Sequence, residues 1–229
     1  MYTTITQSQS PQGVVTLTLN RPDRYNAFNE EMSREFIDAL KRVGRDPAVR
    51  AVVITGAGKA FCSGQDLKDV SEKAGNRSLG DSVERRYSPM ARLIGQSDKV
   101  FICSLNGIAA GAGAGLALAC DYVVASEDAA LLFAFVNIGL VPDTGASFIL
   151  PRLVGQRKAF ELATLGEKIP APDALALGMI NAVVPAAELG AATDAIAHRY
   201  AQAPSRAISF IKKMIGRSLH STLDQMLDM

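Results

Sequence analysis

Two β-branched apolar runs of this 229-residue chain each lead into a turn of small residues. Residues 52–54 (VVI) precede the turn 61–67 (FCSGQDL), and residues 100–102 (VFI) precede the turn 106–115 (NGIAAGAGAG). Runs of this kind predict buried strands, and the glycines that follow predict main chain that a ligand can approach closely. The second turn also opens an apolar helix, whose N-terminus favours negative charge. Together the turns predict two backbone N–H donors for one oxyanion.

The rest of the chain alternates between strand and helix patterns, which indicates an α/β fold. Periodicity alone also permits a doubly wound parallel sheet, and no internal repeat is evident. The polar segment 68–81 is expected to be mobile. The predicted strands are 14–20, 51–55, 100–105, 122–125 and 131–134. The predicted helices are 30–45, 82–96 and 111–120, and the pattern from 143 onward is mostly helical apart from 180–184.

Composition narrows the function class. A formal net charge of +1 gives no electrostatic footprint for nucleic acid or for an acidic membrane surface. The N-terminus does not read as a signal peptide, and no apolar run is long enough to span a bilayer. The three cysteines show neither disulfide nor metal-ligand spacing, so a reduced cytoplasm is expected and zinc chemistry is not. The two histidines, His198 and His220, are far from Cys62 in sequence, which disfavours a Cys/His nucleophile.

Several short motifs, in this order and spacing, resemble the crotonase (enoyl-CoA hydratase/isomerase) superfamily along essentially the whole chain. They are residues 19–22 (LNRP), 26–29 (NAFN), 55–58 (TGAG), the two turns above, 120–121 (CD) and 139–143 (GLVPD). The resemblance implies an α/β fold with a ββα spiral core over residues 1–185 and a helical trimerisation region over 186–229. It also implies a homotrimer, or a hexamer built as a dimer of trimers, acting on an acyl-CoA thioester with no separate cofactor. Members of the family usually extend further, so we expect this sequence to lack their C-terminal tail.

The same resemblance assigns the chemistry. Gln65 and Ala112 align with the two backbone donors of the oxyanion hole. Gly115 and Phe135 stand where hydratases of the family carry their two glutamates, so hydration by the usual mechanism is disfavoured. Asp143 aligns with the single acid of several isomerases. From local sequence alone, an Asp after a Pro at a helix start is more often an N-cap, which lowers the pKa of a carboxyl, whereas an apolar pocket raises it.

Further positions are implied as contacts to the CoA thioester. Arg24 pairs well with phosphate by its chemistry, although a solvated loop charge beside Asp23 is an equal alternative. Asp66 is expected to hold the first turn through bonds to backbone N–H groups. Tyr87 and Met90 could line an acyl pocket, but for Met90 we favour a buried helix stripe. The predicted contacts are Arg24, Tyr25, Ala27, Ser63, Gly64, Asp66, Leu67, Gly111, Tyr87, Phe135 and Leu140.

A narrower resemblance concerns the substrate. Residues 81–90 (DSVERRYSPM), with the first turn and residues 139–143, are similar to bacterial ring-1,2-epoxyphenylacetyl-CoA isomerases of phenylacetate breakdown. This implies conversion of the ring epoxide into the oxepin thioester. A fatty-acyl 3-enoyl-CoA to 2-enoyl-CoA isomerase would use the same acid, and an enoyl-CoA hydratase or a catalytically silent acyl-CoA-binding homologue are less favoured alternatives. RNA binding, found in one branch of the superfamily, is disfavoured by the balanced charge.

Overall fold

A computed structural model describes residues 2–68 and 79–229, and its elements within these ranges are as follows. The strands are β1 (Ile5–Gln9), β2 (Val14–Leu19), β3 (Ala51–Gly56), β4 (Ala60–Cys62), β5 (Val100–Leu105), β6 (Ile108–Ala110), β7 (Tyr122–Ser126), β8 (Ala130–Leu132), β9 (Lys168–Pro170) and β10 (Ala182–Val184). The helices are α1 (Glu30–Arg45), α2 (Leu79–Ser82), a π-helical turn (Val83–Tyr87) that continues into α3 (Ser88–Gly95), α4 (Ala112–Ala119), α5 (Ala146–Leu165), α6 (Ala171–Ala176), α7 (Leu189–Gln202), α8 (Ser205–Ser218) and α9 (Leu223–Leu227).

The described strands form two sheets. The first has the order β1-β2-β3-β5-β7-β10 and is parallel except for the β1–β2 pair. The second has the order β4-β6-β8-β9 and is parallel except for the β8–β9 pair. Strands β3 and β5 are buried along almost all of their length, as continuous β-branched runs in a parallel sheet should be. The α/β class is therefore confirmed, with a spiral of two sheets in place of one doubly wound sheet.

Helix α1 shows how closely local sequence determines an element. Its predicted bounds are confirmed because Asn29 caps the first turn: its side chain accepts a hydrogen bond from the Met32 N–H at 2.8 Å. Met32, Phe36 and Leu40 follow at helical spacing and are all buried. Each such side chain contributes about 1.5–3 kcal/mol to folding, so this stripe fixes the helix in the main hydrophobic core.

Other predictions are confirmed with adjustments. The strands at 14–20, 51–55, 100–105 and 122–125 are present to within a residue. The predicted strand 131–134 is wrong at its end: β8 stops at Leu132, whose carbonyl accepts a hydrogen bond from the Gly111 N–H, and a 3-10 turn begins at Ala134. Strands β1, β4, β6 and β9 were not predicted, and β4 and β6 overlap the two segments that were predicted as turns. The segment 68–81, expected to be mobile, lies mostly outside the described residues.

Residues beyond β10 add helices to the first sheet. In α7, Ala197 and Ala201 pack against Val53, Val100 and Ile102 on the face of that sheet. The following helices leave large apolar side chains exposed, namely Phe210, Ile211, Ile215, Leu219, Leu223 and Leu227. No helix within the described ranges is both long and apolar enough to cross a membrane.

Candidate active site

The first predicted turn leaves β4 and runs beside the connection between β2 and α1. The Phe28 N–H donates to the Gly64 carbonyl at 2.7 Å, and the Asp66 N–H donates to the Phe28 carbonyl at 3.0 Å. These two bonds make a parallel bridge between Phe28 and Gln65. Because the bonds of a parallel bridge come from the neighbours of the paired residue, the N–H of Gln65 itself points away from Phe28. It is thereby available to a ligand.

A partly buried ion pair fixes this loop. The Arg21 guanidinium lies 2.9 Å from Asp66 Oδ2, with side-chain exposures of 17% and 12%, and it also donates to the Ala27 carbonyl. Asp66 Oδ1 accepts from the Lys68 N–H at 3.2 Å. The predicted holding role of Asp66 thus includes a backbone bond, but its ion pair with Arg21 was not predicted. The signal for it was the arginine in the motif 19–22.

The second predicted donor begins helix α4. Gly111 has φ +53°, a conformation that favours glycine, and Ala112 behind it is buried. A Cβ on Gly64 would lie 2.8 Å from the Ala110 carbonyl oxygen and 3.3 Å from the Ala112 nitrogen. The loop before Gln65 therefore touches the main chain at Ala112. Among the described residues, neither the Gln65 N–H nor the Ala112 N–H has a hydrogen-bond acceptor.

Close packing of α4 on β4 depends on a second glycine. A Cβ on Gly113 would lie 2.2 Å from the Cys62 carbonyl oxygen, far inside van der Waals contact. Cys62 itself is fully buried, and burial raises the pKa of its thiol to about 12. It is therefore a neutral thiol at physiological pH, which agrees with the expectation that it is no nucleophile. The other two cysteines are buried and free as well, as small apolar residues would be.

Asp143 lies in the turn that precedes α5. Its Oδ1 accepts a hydrogen bond from the Thr144 hydroxyl at 2.7 Å, and its carbonyl accepts from the Ala146 N–H at 2.8 Å. Helix α5 begins after Gly145 and has no side-chain cap, so the N-cap interpretation of Asp143 is wrong. Burial raises the pKa of the Asp143 carboxyl, and the bond from Thr144 opposes that rise only in part. Of the two effects that the sequence left open, desolvation is the larger.

Gly115 brings this turn against the same helix that carries Ala112. A Cβ on Gly115 would meet the Thr144 Cβ at 2.8 Å and the Asp143 carbonyl oxygen at 3.3 Å. Gly115 follows Ala112 by three residues, which is about 4.5 Å along a helix axis. The main chain of Asp143 therefore lies within one turn of the helix N-terminus. The N–H donor at Ala112 therefore begins the same short helix against which the turn that carries the Asp143 carboxyl is packed.

Apolar side chains complete this end of α4. Phe135 is buried in the 3-10 turn after β8, and a Cβ on Gly111 would lie 4.0 Å from its ring. The Leu140 N–H donates to the Phe135 carbonyl at 2.9 Å, and its side chain is partly buried in the core. The two positions that the resemblance aligned with hydratase glutamates therefore hold a glycine in contact with the Asp143 turn and a buried aromatic ring.

The remaining predicted contacts lie at different depths. Tyr87 is fully buried, with its ring 6.3 Å from that of Phe28 in an edge-on arrangement, and Met90 is also fully buried in the core. The buried-stripe interpretation of Met90 is thus confirmed. Tyr25 and Leu67 are exposed, at 59% and 58%. Placement alone does not test these residues as substrate contacts, and they stay predictions.

Two asparagines that received no role in the sequence analysis support the first loop. Asn26 is fully buried at φ +55° and donates to the Ala57 and Ala60 carbonyls at 2.9 and 2.8 Å while accepting from the Arg21 N–H. Asn106 accepts from the Gly56 N–H at 3.1 Å. Asparagine is the non-glycine residue that most readily takes a left-handed conformation, and this was the available signal for Asn26.

The comparisons with known proteins agree with this geometry. A sequence model of the enoyl-CoA hydratase/isomerase family matches residues 9–229. The 1,2-epoxyphenylacetyl-CoA isomerase of Escherichia coli K12 is 43% identical over 224 residues, which cover 97% of this chain and 86% of the relative. The 4-chlorobenzoyl coenzyme A dehalogenase-2 of an Arthrobacter species is 33% identical over 93% of this chain and 78% of its own. The crystal structure of enoyl-CoA hydratase from Bacillus anthracis superposes with a TM-score of 0.92 at 31% identity, over 99% of this chain and 87% of the other. With its glycine-built turns and its spiral of two sheets, the chain belongs to the enoyl-CoA hydratase/isomerase family.

Proposed function

We propose that this protein is a CoA-thioester isomerase, and specifically that it converts ring-1,2-epoxyphenylacetyl-CoA into the oxepin-CoA thioester. The carrying observation is the Asp143 carboxyl, whose pKa is raised by burial and whose main chain touches the helix that begins at Ala112. A family member with one such carboxylate, and with Gly115 and Phe135 in place of two others, retains proton transfer but lacks the pair that positions water.

The proposed reaction needs one base and one oxyanion site. The epoxide first opens to its oxepin valence tautomer, in which the carbon–carbon bond shared by the two rings breaks and its electrons join the ring double bonds. The Asp143 carboxylate then removes a proton from the carbon next to the thioester carbonyl, and the electron pair of that C–H bond enters the conjugated system and places negative charge on the thioester oxygen. The N–H groups of Gln65 and Ala112 stabilise this dienolate, since both lack other acceptors among the described residues. Asp143 then returns the proton farther along the conjugated system. Substrate and product have the same composition, so no cofactor or water enters the balance.

The environment of Asp143 favours this role. A base must be ionised at working pH and yet hold a proton between the two steps, so a carboxyl pKa above the ordinary aspartate range improves its efficiency. Burial raises the pKa of Asp143 in that direction. The same arrangement would serve a 3-enoyl-CoA to 2-enoyl-CoA isomerase, because that reaction also moves one proton across a dienolate. The 43% identity to the Escherichia coli isomerase favours the epoxide.

The test is turnover of enzymatically prepared ring-1,2-epoxyphenylacetyl-CoA, followed by ultraviolet absorbance and mass spectrometry. We expect a conjugated product of unchanged mass, and loss of that product in Asp143→Asn. Asp173→Asn is the matched control, because Asp173 is an exposed aspartate in the first turn of α6. Conversion of a 3-enoyl-CoA but not of the epoxide would refute the substrate and keep the reaction type. Near-normal turnover by a folded Asp143→Asn would refute the mechanism.

The surface beside the first loop is proposed as the CoA contact. Tyr25 is exposed next to the loop, and its carbonyl accepts from the Ser63 N–H at 3.0 Å, so its side chain starts at the edge of the site. Arg24 precedes it in the same turn and supplies a guanidinium suited to phosphate. We expect Arg24→Met to weaken CoA binding in calorimetry, whereas Arg45→Met, at the far end of α1, should not.

Trimer formation is also proposed. The exposed apolar side chains of α8 and α9 make a surface that water covers poorly, and each would gain about 1.5–3 kcal/mol on full burial. Light scattering should then give a mass close to three times 24.3 kDa, or six times for a pair of trimers. A monomer at micromolar concentration would contradict this proposal.

A further inference from the structure

Thr144 has an unusual backbone conformation beside the proposed base. Its φ is +51°, in the left-handed region that β-branched residues rarely adopt. Among the described residues, the other non-glycine positions with positive φ are Tyr25 and Asn26, and the second of these is held by the three side-chain bonds of its buried amide. Strained residues persist where their surroundings determine them and concentrate at functional sites. Thr144, with 2% exposure, needs a comparable reason.

Two contacts determine this conformation. The Thr144 hydroxyl donates to Asp143 Oδ1 at 2.7 Å, and on the other side the Thr144 main chain and Cβ lie against Gly115. The Ala146 N–H closes the turn by donating to the Asp143 carbonyl. Thr144 therefore links the carboxyl of Asp143 to helix α4, the helix whose N-terminus carries the Ala112 donor.

The hydroxyl occupies one carboxyl oxygen and leaves the other for proton transfer. In the described part of the chain, Thr144 is the sole hydrogen-bond donor to the Asp143 side chain. A carboxylate with one fixed oxygen keeps a single rotamer, and the fixed bond also stabilises its charged form. A residue with these two effects acts through Asp143 and does not need to touch the substrate.

We propose that Thr144 is the positioning residue of this site: its hydroxyl, held by the left-handed turn packed on Gly115, orients the Asp143 carboxyl for proton transfer. The inference rests on the proposed role of Asp143 as base. It adds a requirement to the role of Asp143: residue 144 must have a hydroxyl donor and a left-handed backbone that directs this donor at the carboxyl.

The test compares Thr144→Val with Thr144→Ser. Valine keeps the size and the β-branch but removes the hydroxyl, whereas serine keeps the hydroxyl. For Thr144→Val we expect kcat to fall by about tenfold or more with little change in KM, because a hydrogen bond to a charged group is lost. The acidic limb of the pH profile should also move to higher pH, since desolvation of the carboxylate is then unopposed. Thr144→Ser should restore both quantities to near the parent values.

A second readout is independent of the assayed substrate. Aspartate labelled with ¹³C at Cγ, with the Asp143 signal assigned by its absence in Asp143→Asn, reports the pKa of that carboxyl in the free protein. We expect a higher pKa in Thr144→Val than in the parent and a parent-like pKa in Thr144→Ser. An unchanged pKa, or equal loss of turnover in both variants, would overturn the positioning role.

The outcomes separate this inference from the proposed function. Full turnover by Asp143→Asn removes Asp143 as the base, whatever Thr144 does. Loss of turnover in Asp143→Asn, together with parent-like kinetics in Thr144→Val, refutes the positioning role alone. In the double variant, the effect of Thr144→Val should disappear, because Thr144 acts only through Asp143.

Discussion

Substitution of Gly115 by alanine tests the packing that joins the two halves of the site. The added Cβ would lie 2.8 Å from the Thr144 Cβ, 3.1 Å from the Thr144 carbonyl oxygen and 3.3 Å from that of Asp143. Carbon atoms pack best at about 3.5–4.0 Å, so the Asp143–Thr144 turn must move away from α4 by about 0.7–1.2 Å. The turn cannot absorb this by rotating a side chain, because two of the three contacts are with main-chain oxygens.

Stability and activity should respond to this change very differently. Overpacking costs about 1–3 kcal/mol, and the higher helix propensity of alanine returns about 1 kcal/mol, so the net loss should be about 1 kcal/mol. For a chain of this size that is a fall in Tm of about 2–4 °C. A displacement of about 1 Å in a catalytic group can cost about 100-fold in rate. We therefore expect Gly115→Ala to lose about two orders of magnitude in kcat while it stays folded.

The assay measures kcat for the isomerase reaction and Tm from thermal unfolding of the same variant. Gly190→Ala is the matched control, since Gly190 lies in the exposed first turn of α7 and a Cβ there meets nothing within 4 Å. It should keep parent activity and at least parent stability. Parent-like kcat in Gly115→Ala would refute the reasoning, because the turn would then tolerate the shift or lie elsewhere. Gly115→Glu should be worse on both measures and should not gain hydratase activity.

Three further predictions concern ionisation and buried polar groups. Because burial raises the pKa of Asp143, the loss of kcat/KM on acidification should begin at a higher pH than it would for an exposed aspartate. The same carboxyl favours folding below its unfolded pKa, and this contribution is lost as pH rises through its folded pKa. At neutral pH, Asp143→Asn should therefore unfold at a higher temperature than the parent. Asn26→Ala should cost about 3 kcal/mol in urea unfolding, at about 1 kcal/mol for each of three hydrogen bonds, and a loss under 1 kcal/mol would contradict their value. Lys212→Met removes the ammonium that lies 2.8 Å from Asp121, a carboxyl whose pKa is already raised by burial, and should cost about 2 kcal/mol of folding free energy near neutral pH. This loss should shrink as the pH is lowered and Asp121 becomes protonated, and a pH-independent loss would argue against the ion pair.

The sequence predicts those parts of this molecule that local interactions determine. Helix α1 is placed correctly because its cap and its apolar stripe lie within one short segment. Each of the two predicted glycine-rich turns also contains residues of a short strand, β4 or β6, which the small residues of these segments did not indicate. Strand β1 escaped prediction, since only Ile5 of its five residues is buried and its partner strand supplies the pattern. The end of β8 escaped as well, because the apolar run continues through Phe133 without a turn residue.

Tertiary contacts decided what the sequence left open in the site. Whether Asp143 caps a helix depends on where α5 begins, and the left-handed Thr144 and Gly145 delay that start. The absence of a side chain at Gly115 indicated a lost glutamate, but not that the Asp143 turn fills the space. The partner of Asp66 lies 45 residues away at Arg21, a separation at which no local pattern operates.

The two oxyanion donors proposed for this site are main-chain N–H groups, and this has a consequence for how such an enzyme would tolerate mutation. Exchanging the side chain of Gln65 leaves its N–H group in place, so a substitution scan should find this position permissive. Ala112 is buried in the core, so that position should accept only side chains about as small as its own. The intolerant positions should be their neighbours Gly64 and Gly113, where any Cβ collides with a carbonyl oxygen. Mutations during evolution can therefore replace the catalytic carboxylates and the side chains that line the pocket one at a time, while the main-chain N–H donors remain in place. A scaffold organised in this way can acquire new reactions without first losing its means of holding an oxyanion.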